Sequence, residues 1–145
     1  ANAPIIVVKE DEVTFPFKDI VFLSDFKEDV SIPFKEVLSI AEKCDSKIHL
    51  LRINTETDFN SIELGLNPVK EFLQKFPDFS KYSMSVYNEP SVEAGINTFL
   101  NHQSADLIAM STHGKTGFLN LFSKSIAEGI TNHSALPVMT IHIKK

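Results

Sequence analysis

The residues best suited to chemistry lie in one stretch, Ser111-Thr112-His113-Gly114, which runs on through Lys115-Thr116-Gly117 to Lys124-Ser125-Ile126-Ala127-Glu128. A glycine-containing loop that leads into a helix offers unpaired backbone N–H groups and the positive end of the helix dipole, and both favour a phosphate. Ser125 would add a hydroxyl, Lys124 an ammonium and His113 an imidazole. Without a ligand, Ser125 and Glu128 make a plain capping box, and His113 can order its own loop through a hydrogen bond. The local pattern fits either account.

Other chemistry finds little support. The five histidines (His49, His102, His113, His133 and His142) show no ligand spacing with cysteine or carboxylate, so no metal site is expected. The sequence contains no Gly-x-Ser-x-Gly elbow and no phosphate loop of the Gly-Lys-Ser/Thr form. Formal net charge is −5, from 14 basic and 19 acidic residues, and Arg52 is the only arginine. A nucleic-acid partner would need a basic face to displace counterions, and none is supplied. Twelve phenylalanines and no tryptophan point to core filling.

The elements that must position these residues alternate between short apolar runs and amphipathic stretches, as in βαβ units on a parallel sheet. A first strand is expected over residues 20–23, then a turn through Asp25, Lys27, Glu28 and Asp29. A helix follows with Phe34, Val37, Leu38 and Ala41 inward, capped by Ser31 and with Pro33 in its first turn. The second strand, 48–53, is nearly all apolar and so central; a loop over 54–66 leads to a second helix opened by Asn67-Pro68. That helix turns Val69, Phe72, Leu73 and Phe76 inward and stops at Pro77.

A third strand at 82–87 alternates in polarity like a sheet edge. Glu89-Pro90-Ser91 opens a third helix with Val92, Ile96, Phe99 and Leu100 inward; a fourth, central strand occupies 107–110. Ser125 starts a fourth helix, and a fifth strand at 138–143 follows Pro137. The pattern predicts an α/β domain with an open five-stranded parallel sheet in the order 3-2-1-4-5 and helices on both faces. Ligands of such sheets sit beyond the carboxyl ends of the strands. The loops to watch therefore start at Ser24-Asp25, at Arg52-Ile53-Asn54 and at Ser111.

The run Asp106-Leu107-Ile108-Ala109-Met110-Ser111-Thr112-His113-Gly114, continued by Ser125-Ile126-Ala127-Glu128 and Leu136-Pro137-Val138, resembles the closing third of universal stress proteins. The resemblance extends over about residues 18–143 and implies a Rossmann-like fold of the adenine nucleotide alpha hydrolase kind. ATP-binding members carry a glycine, two residues, a second glycine, nine residues, then a glycine followed by serine or threonine. Those positions are Ser111, Gly114, Lys124 and Ser125 here, so the spacing is kept while two of three glycines are lost. Asp25 matches the acidic residue placed near the adenosine, and Ile53 the apolar position whose backbone receives the adenine.

Taken alone, Asp25 is equally a turn former and Ile53 a buried strand residue. Ser111 and Lys124 each bring a side chain where glycine admits close approach of a phosphate. Lys124 either blocks that space or reaches the phosphates with its ammonium. The resemblance implies a non-catalytic stress-response module that takes ATP or another adenine nucleotide; the alternative is a dimerisation module whose pocket has decayed. A phospho-acceptor receiver is disfavoured, because neither Asn88 nor Glu89 supplies an acceptor aspartate after the third strand.

At 145 residues the chain is the size of one domain, and its apolar runs are too short to span a bilayer. A lone cysteine, Cys44, fits a reducing compartment, so a cytoplasmic location is expected. Residues 3–8 repeat the shape of 136–141: an apolar residue, a proline, then a β-rich run. The start thus resembles the last strand of a preceding copy, giving a remnant or arm over 1–12 and a universal stress protein domain over 13–145. The fifth strand is expected at a sheet edge, with residues 4–8 beside a fifth strand and a homodimer, or a tandem domain, paired there.

Overall fold

The computed structural model describes residues 4–7, 16–26, 29–55, 61–111 and 137–141. Six strands and three helices are seen among them: β1 (Pro4–Val7), β2 (Asp19–Leu23), α1 (Ser31–Cys44), β3 (Lys47–Asn54), α2 (Ile62–Leu73), β4 (Tyr82–Asn88), α3 (Val92–His102), β5 (Leu107–Ser111) and β6 (Val138–Ile141). They form one sheet ordered β1-β6-β5-β2-β3-β4. From β2 to β6 every pairing is parallel. The order of the five parallel strands is therefore the expected 3-2-1-4-5.

The central strands β2, β3 and β5 bury both faces, and alternate residues divide the core in two. Ile20, Phe22, Ile48, Leu50 and Leu107 meet Phe34 and Val37 of α1 and Val69 and Phe72 of α2. Val21, Leu23, Leu51, Ile53, Ile108 and Met110 meet Val92, Ile96 and Phe99 of α3. Consecutive right-handed crossovers impose this division. The steps β2 to β3 to β4 move one way along the sheet and put α1 and α2 on one face; the return from β4 to β5 puts α3 on the other. The helix expected from Ser125, with residues 8 and 142–143 of the flanking strands, lies outside the described residues.

Two helix starts differ from the sequence expectation. α2 begins at Ile62 rather than at Asn67-Pro68, because Ser61 takes the N-cap and accepts a hydrogen bond from Leu64 N at 3.1 Å. Pro68 thus lies inside the helix, where its ring removes one backbone donor. Ser31 is the first residue of α1 rather than its cap; Val30 holds the N-cap position without a side-chain bond. Asp29 does the capping instead, accepting from Ser31 N at 3.0 Å and from the Ser31 hydroxyl. The pairing expected of residues 4–8 with a fifth strand is seen over Pro4–Val7: β1 pairs antiparallel with β6, Pro4 opposite Ile141 and Val7 opposite Val138, and so covers the outer side of the strand expected at the edge. The opposite border is β4, mostly half-buried, which fits the edge position expected of it.

The amino ends of the strands are tied by side chains. Asp106 accepts from Lys18 N and Asp19 N at 2.8 and 2.9 Å, joining the start of β2 to β5. Buried His49 is satisfied on both nitrogens, by Asp19 Oδ1 at 2.8 Å and Ser83 Oγ at 2.6 Å, and its ring packs 5.8 Å from that of Phe99. This serine–histidine–aspartate chain pairs a buried imidazole across three adjacent strands.

Candidate functional site

The strand order reverses its direction of growth at β2, which has β3 on one side and β5 on the other. Leu23 stands opposite Met110 in the β2–β5 register, so Ser24 and Ser111 are neighbours one step on, at the mouth of the crevice. This is the place where open α/β sheets hold ligands.

Local bonding fixes the turn after β2. Ser24 N donates to Leu51 O at 3.2 Å, prolonging the ladder, and Ser24 Oγ accepts from Phe26 N at 2.9 Å. Phe26 adopts φ 56°, a left-handed conformation uncommon for a bulky side chain. Its ring is buried and anchored, with centroids 6.0 Å from Phe22 and 5.4 Å from Phe72. Asp25 is therefore carried half-buried between two anchored buried residues. Strain held by packing next to a half-buried carboxylate is a common feature of ligand sites.

At the end of β3, Ile53 is buried and its side chain presses on Gly95 of α3. A Cβ at Gly95 would lie 2.5, 2.6 and 2.7 Å from Ile53 Cδ1, Cγ1 and Cγ2. Glycine lets the helix approach closely enough to seal the Ile53 side chain. Asn54, also buried, donates through Nδ2 to Asn88 Oδ1 at 3.1 Å, and Glu89 N donates to Asn54 O at 3.0 Å. These bonds stiffen the β3–β4 rim beside the crevice.

Of the residues marked by the sequence, the structure thus gathers Asp25, Ile53 and Ser111 at one end of the sheet. Ser111 is the last residue of β5. His113, Gly114, Lys124 and Ser125 lie outside the described residues. Sequence reasoning missed Gly95 and the Asn54–Asn88 pair; the signal for the first was a glycine inside a helical pattern, which usually has a packing cause. Among the described residues no three histidine, cysteine or carboxylate side chains group as metal ligands. A cavity of about 530 Å³, lined by Leu38, Ala41, Phe76, Phe79, Lys75 and Lys81 among others, opens at the opposite, amino end of the strands.

Residues 84–142, from the middle of β4 through β6, match the model of the Universal stress protein family. That segment is similar to universal stress proteins. The fold agrees. A universal stress protein from Archaeoglobus fulgidus superposes with a TM-score of 0.66 at 14% identity over 94% of this chain. The chain spans only 48% of that protein, about half its length. Universal stress protein UspA from Lactobacillus plantarum gives a TM-score of 0.56 at 16% identity, covering 88% of this chain and 97% of its own. A universal stress protein crystallised in complex with cAMP gives 0.59 at 13% identity, covering 87% and 97%. No curated protein sequence matches the chain. Among the described residues no helix is long and apolar enough to cross a membrane.

Proposed function

We propose that this chain is a non-catalytic, nucleotide-responsive stress module that takes an adenine nucleotide beyond the carboxyl ends of β2, β3 and β5. The observation that carries the proposal is the adjacency of Asp25, Ile53 and Ser111 at the point where the sheet reverses its growth. The family match supports it, because it includes the loop from Ser111 to Ser125, and the cAMP complex shows that a protein of this fold holds an adenine nucleotide. In this account Asp25 meets the ribose and the Ile53 backbone the adenine. Gly114, His113 and Ser125 lie at the phosphates, with the Lys124 ammonium replacing contacts that a glycine would give.

A second proposal follows from the loss of two loop glycines, at Ser111 and Lys124. In it the pocket has decayed and the module acts by association, as a cytoplasmic homodimer or beside a tandem domain, through the edge built by β1 on β6. Mass analysis of small molecules released from purified protein, beside titrations with ATP, ADP and AMP, separates the two. Saturable binding of any of the three supports the first; no released nucleotide and no heat of binding would leave the second.

A further inference from the structure

Asp19, His49 and Ser83 form one hydrogen-bonded chain across β2, β3 and β4, at the end of the sheet opposite the candidate nucleotide site. His49 Nε2 lies 2.8 Å from Asp19 Oδ1, and Nδ1 lies 2.6 Å from Ser83 Oγ. The partners fix the direction of each bond. An ionised carboxylate only accepts, so Nε2 carries the ring proton; in a neutral imidazole Nδ1 is then an acceptor, and the Ser83 hydroxyl donates to it. A hydroxyl that donates to an imidazole whose far nitrogen is held by a carboxylate is the arrangement that activates a serine for attack.

Each member is held in place. Asp106 Oδ2 accepts from the Asp19 N–H at 2.9 Å, the strand register sets Ser83 opposite His49, and the Phe99 ring packs 5.8 Å from the imidazole. Burial then divides the roles. The His49 side chain is 2% exposed and that of Asp19 28%, while Ser83 stands half-buried on the border strand of the sheet. A reactant can be met at Ser83, but the imidazole is too enclosed to hand a proton to a departing group. The geometry supplies a base and no acid toward the leaving group, so it suits donors whose leaving group departs as a stable anion.

We propose that Ser83 is a nucleophile that takes an acyl group from an activated donor, a thioester, acyl phosphate or aryl ester. Ser83 Oγ bonds to the acyl carbon as the bond from that carbon to the donor's sulfur or oxygen breaks, and the leaving group departs with the electron pair as thiolate, phosphate or phenolate. The Ser83 proton passes to Nδ1, and the Nε2 proton passes through Asp19, the member of the pair in contact with solvent, to water. The neutral ring then carries its proton on Nδ1, facing the new ester, with no lone pair there to activate water. The acyl group therefore stays on Ser83 as a modification. His49 is the base, and Asp19 is a positioning residue.

The test incubates the full chain with p-nitrophenyl acetate and locates the added acetyl groups by peptide mass spectrometry. Ser85 is the internal reference: it lies on the same face of β4 and is half-buried like Ser83, but it stands opposite Leu51 rather than a histidine. Ser83 should be acetylated at least about tenfold faster than Ser85. Asp19→Asn offers an amide that can donate to Nε2 and so turns the ring proton to Nδ1; it should slow Ser83 at least about tenfold and leave Ser85 unchanged. His49→Gln should remove the difference between the two serines, and Ser83→Ala should remove the adduct. If His49→Gln does not fold, the ratio of Ser83 to Ser85 in the parent still decides. Equal acetylation of the two serines, or an Asp19→Asn chain acetylated at Ser83 as fast as the parent, would overturn the proposal.

Discussion

Replacing Gly95 by alanine tests how α3 and β3 are fitted together at the candidate site. In an exposed helix this change stabilises by about 1 kcal/mol, because alanine has the better helix propensity. Here the new methyl would fall 2.5 to 2.7 Å from three carbons of Ile53. Since Cγ1, Cγ2 and Cδ1 are all in conflict, rotating only the outer methyl does not relieve the clash. Ile53 is itself buried, so the helix or the strand must shift. Overpacking of this kind costs about 1 to 3 kcal/mol, which outweighs the propensity gain and leaves a net loss near 1 kcal/mol.

For a domain of this size that loss lowers the melting temperature by about 3 to 5 °C. Urea unfolding of the parent, Gly95→Ala, Ile53→Ala and the double variant measures the fit directly. Ile53→Ala alone should cost about 2 to 4 kcal/mol. In the double variant the added methyl meets the space that Ile53 vacates, so the two losses should fall short of additivity by about 1 kcal/mol or more. A Gly95→Ala protein as stable as the parent, or strict additivity, would refute the close contact.

Three further outcomes follow from the same structure. The hydrogen bonds from the Ser31 hydroxyl and Ser31 N–H, helped by the Lys75 ammonium, hold the Asp29 carboxyl down from 3.8 to about 2. A lowered carboxylate stabilises the fold fully above its unfolded pKa and loses that contribution as pH falls through 2, so Asp29→Asn should flatten acid unfolding between about pH 4 and 2. The effect should be small, because Asp29 is largely exposed. Ser61→Ala should cost about 0.5 to 2 kcal/mol in urea unfolding, by freeing the Leu64 amide at the start of α2. A chain shortened to begin at Thr14 uncovers the outer side of β6. Sedimentation should then show more self-association than in the full chain, and identical monomers would contradict a covering role for β1.

The parallel core was legible because its strands are short apolar runs separated by helices whose inward residues keep a helical period. Phe34 and Val37, Val69 and Phe72, and Ile96 and Phe99 all face the sheet as that period requires. What local pattern misjudged was punctuation. Pro68 reads as a helix opening, yet Ser61 had already capped the helix, and packing of Val69 and Phe72 tolerates the missing donor. Ser31 reads as a cap, yet the helix already includes it, and Asp29 accepts the Ser31 amide from two residues earlier.

The site was legible to the extent that topology decides it. Strand order and register alone bring Asp25, Ile53 and Ser111 to one end. The Ile53–Gly95 contact joins residues 42 positions apart, and no local spacing encodes it. Arg52 shows the same limit: one charged residue in an apolar strand reads as a rim residue, and only the packing of α2 reveals it as buried.

The central claim, an adenine nucleotide seated at the reversal point of the sheet, is tested most directly by backbone amide NMR during titration with ATP. The account predicts saturable shifts at Ser24, Asp25, Ile53, Asn54 and Ser111 and in the segment that follows Ser111. Residues around the opposite cavity, such as Ala41, Phe76 and Phe79, should stay unmoved. Shifts centred on that cavity, or none at saturating ATP, would contradict it.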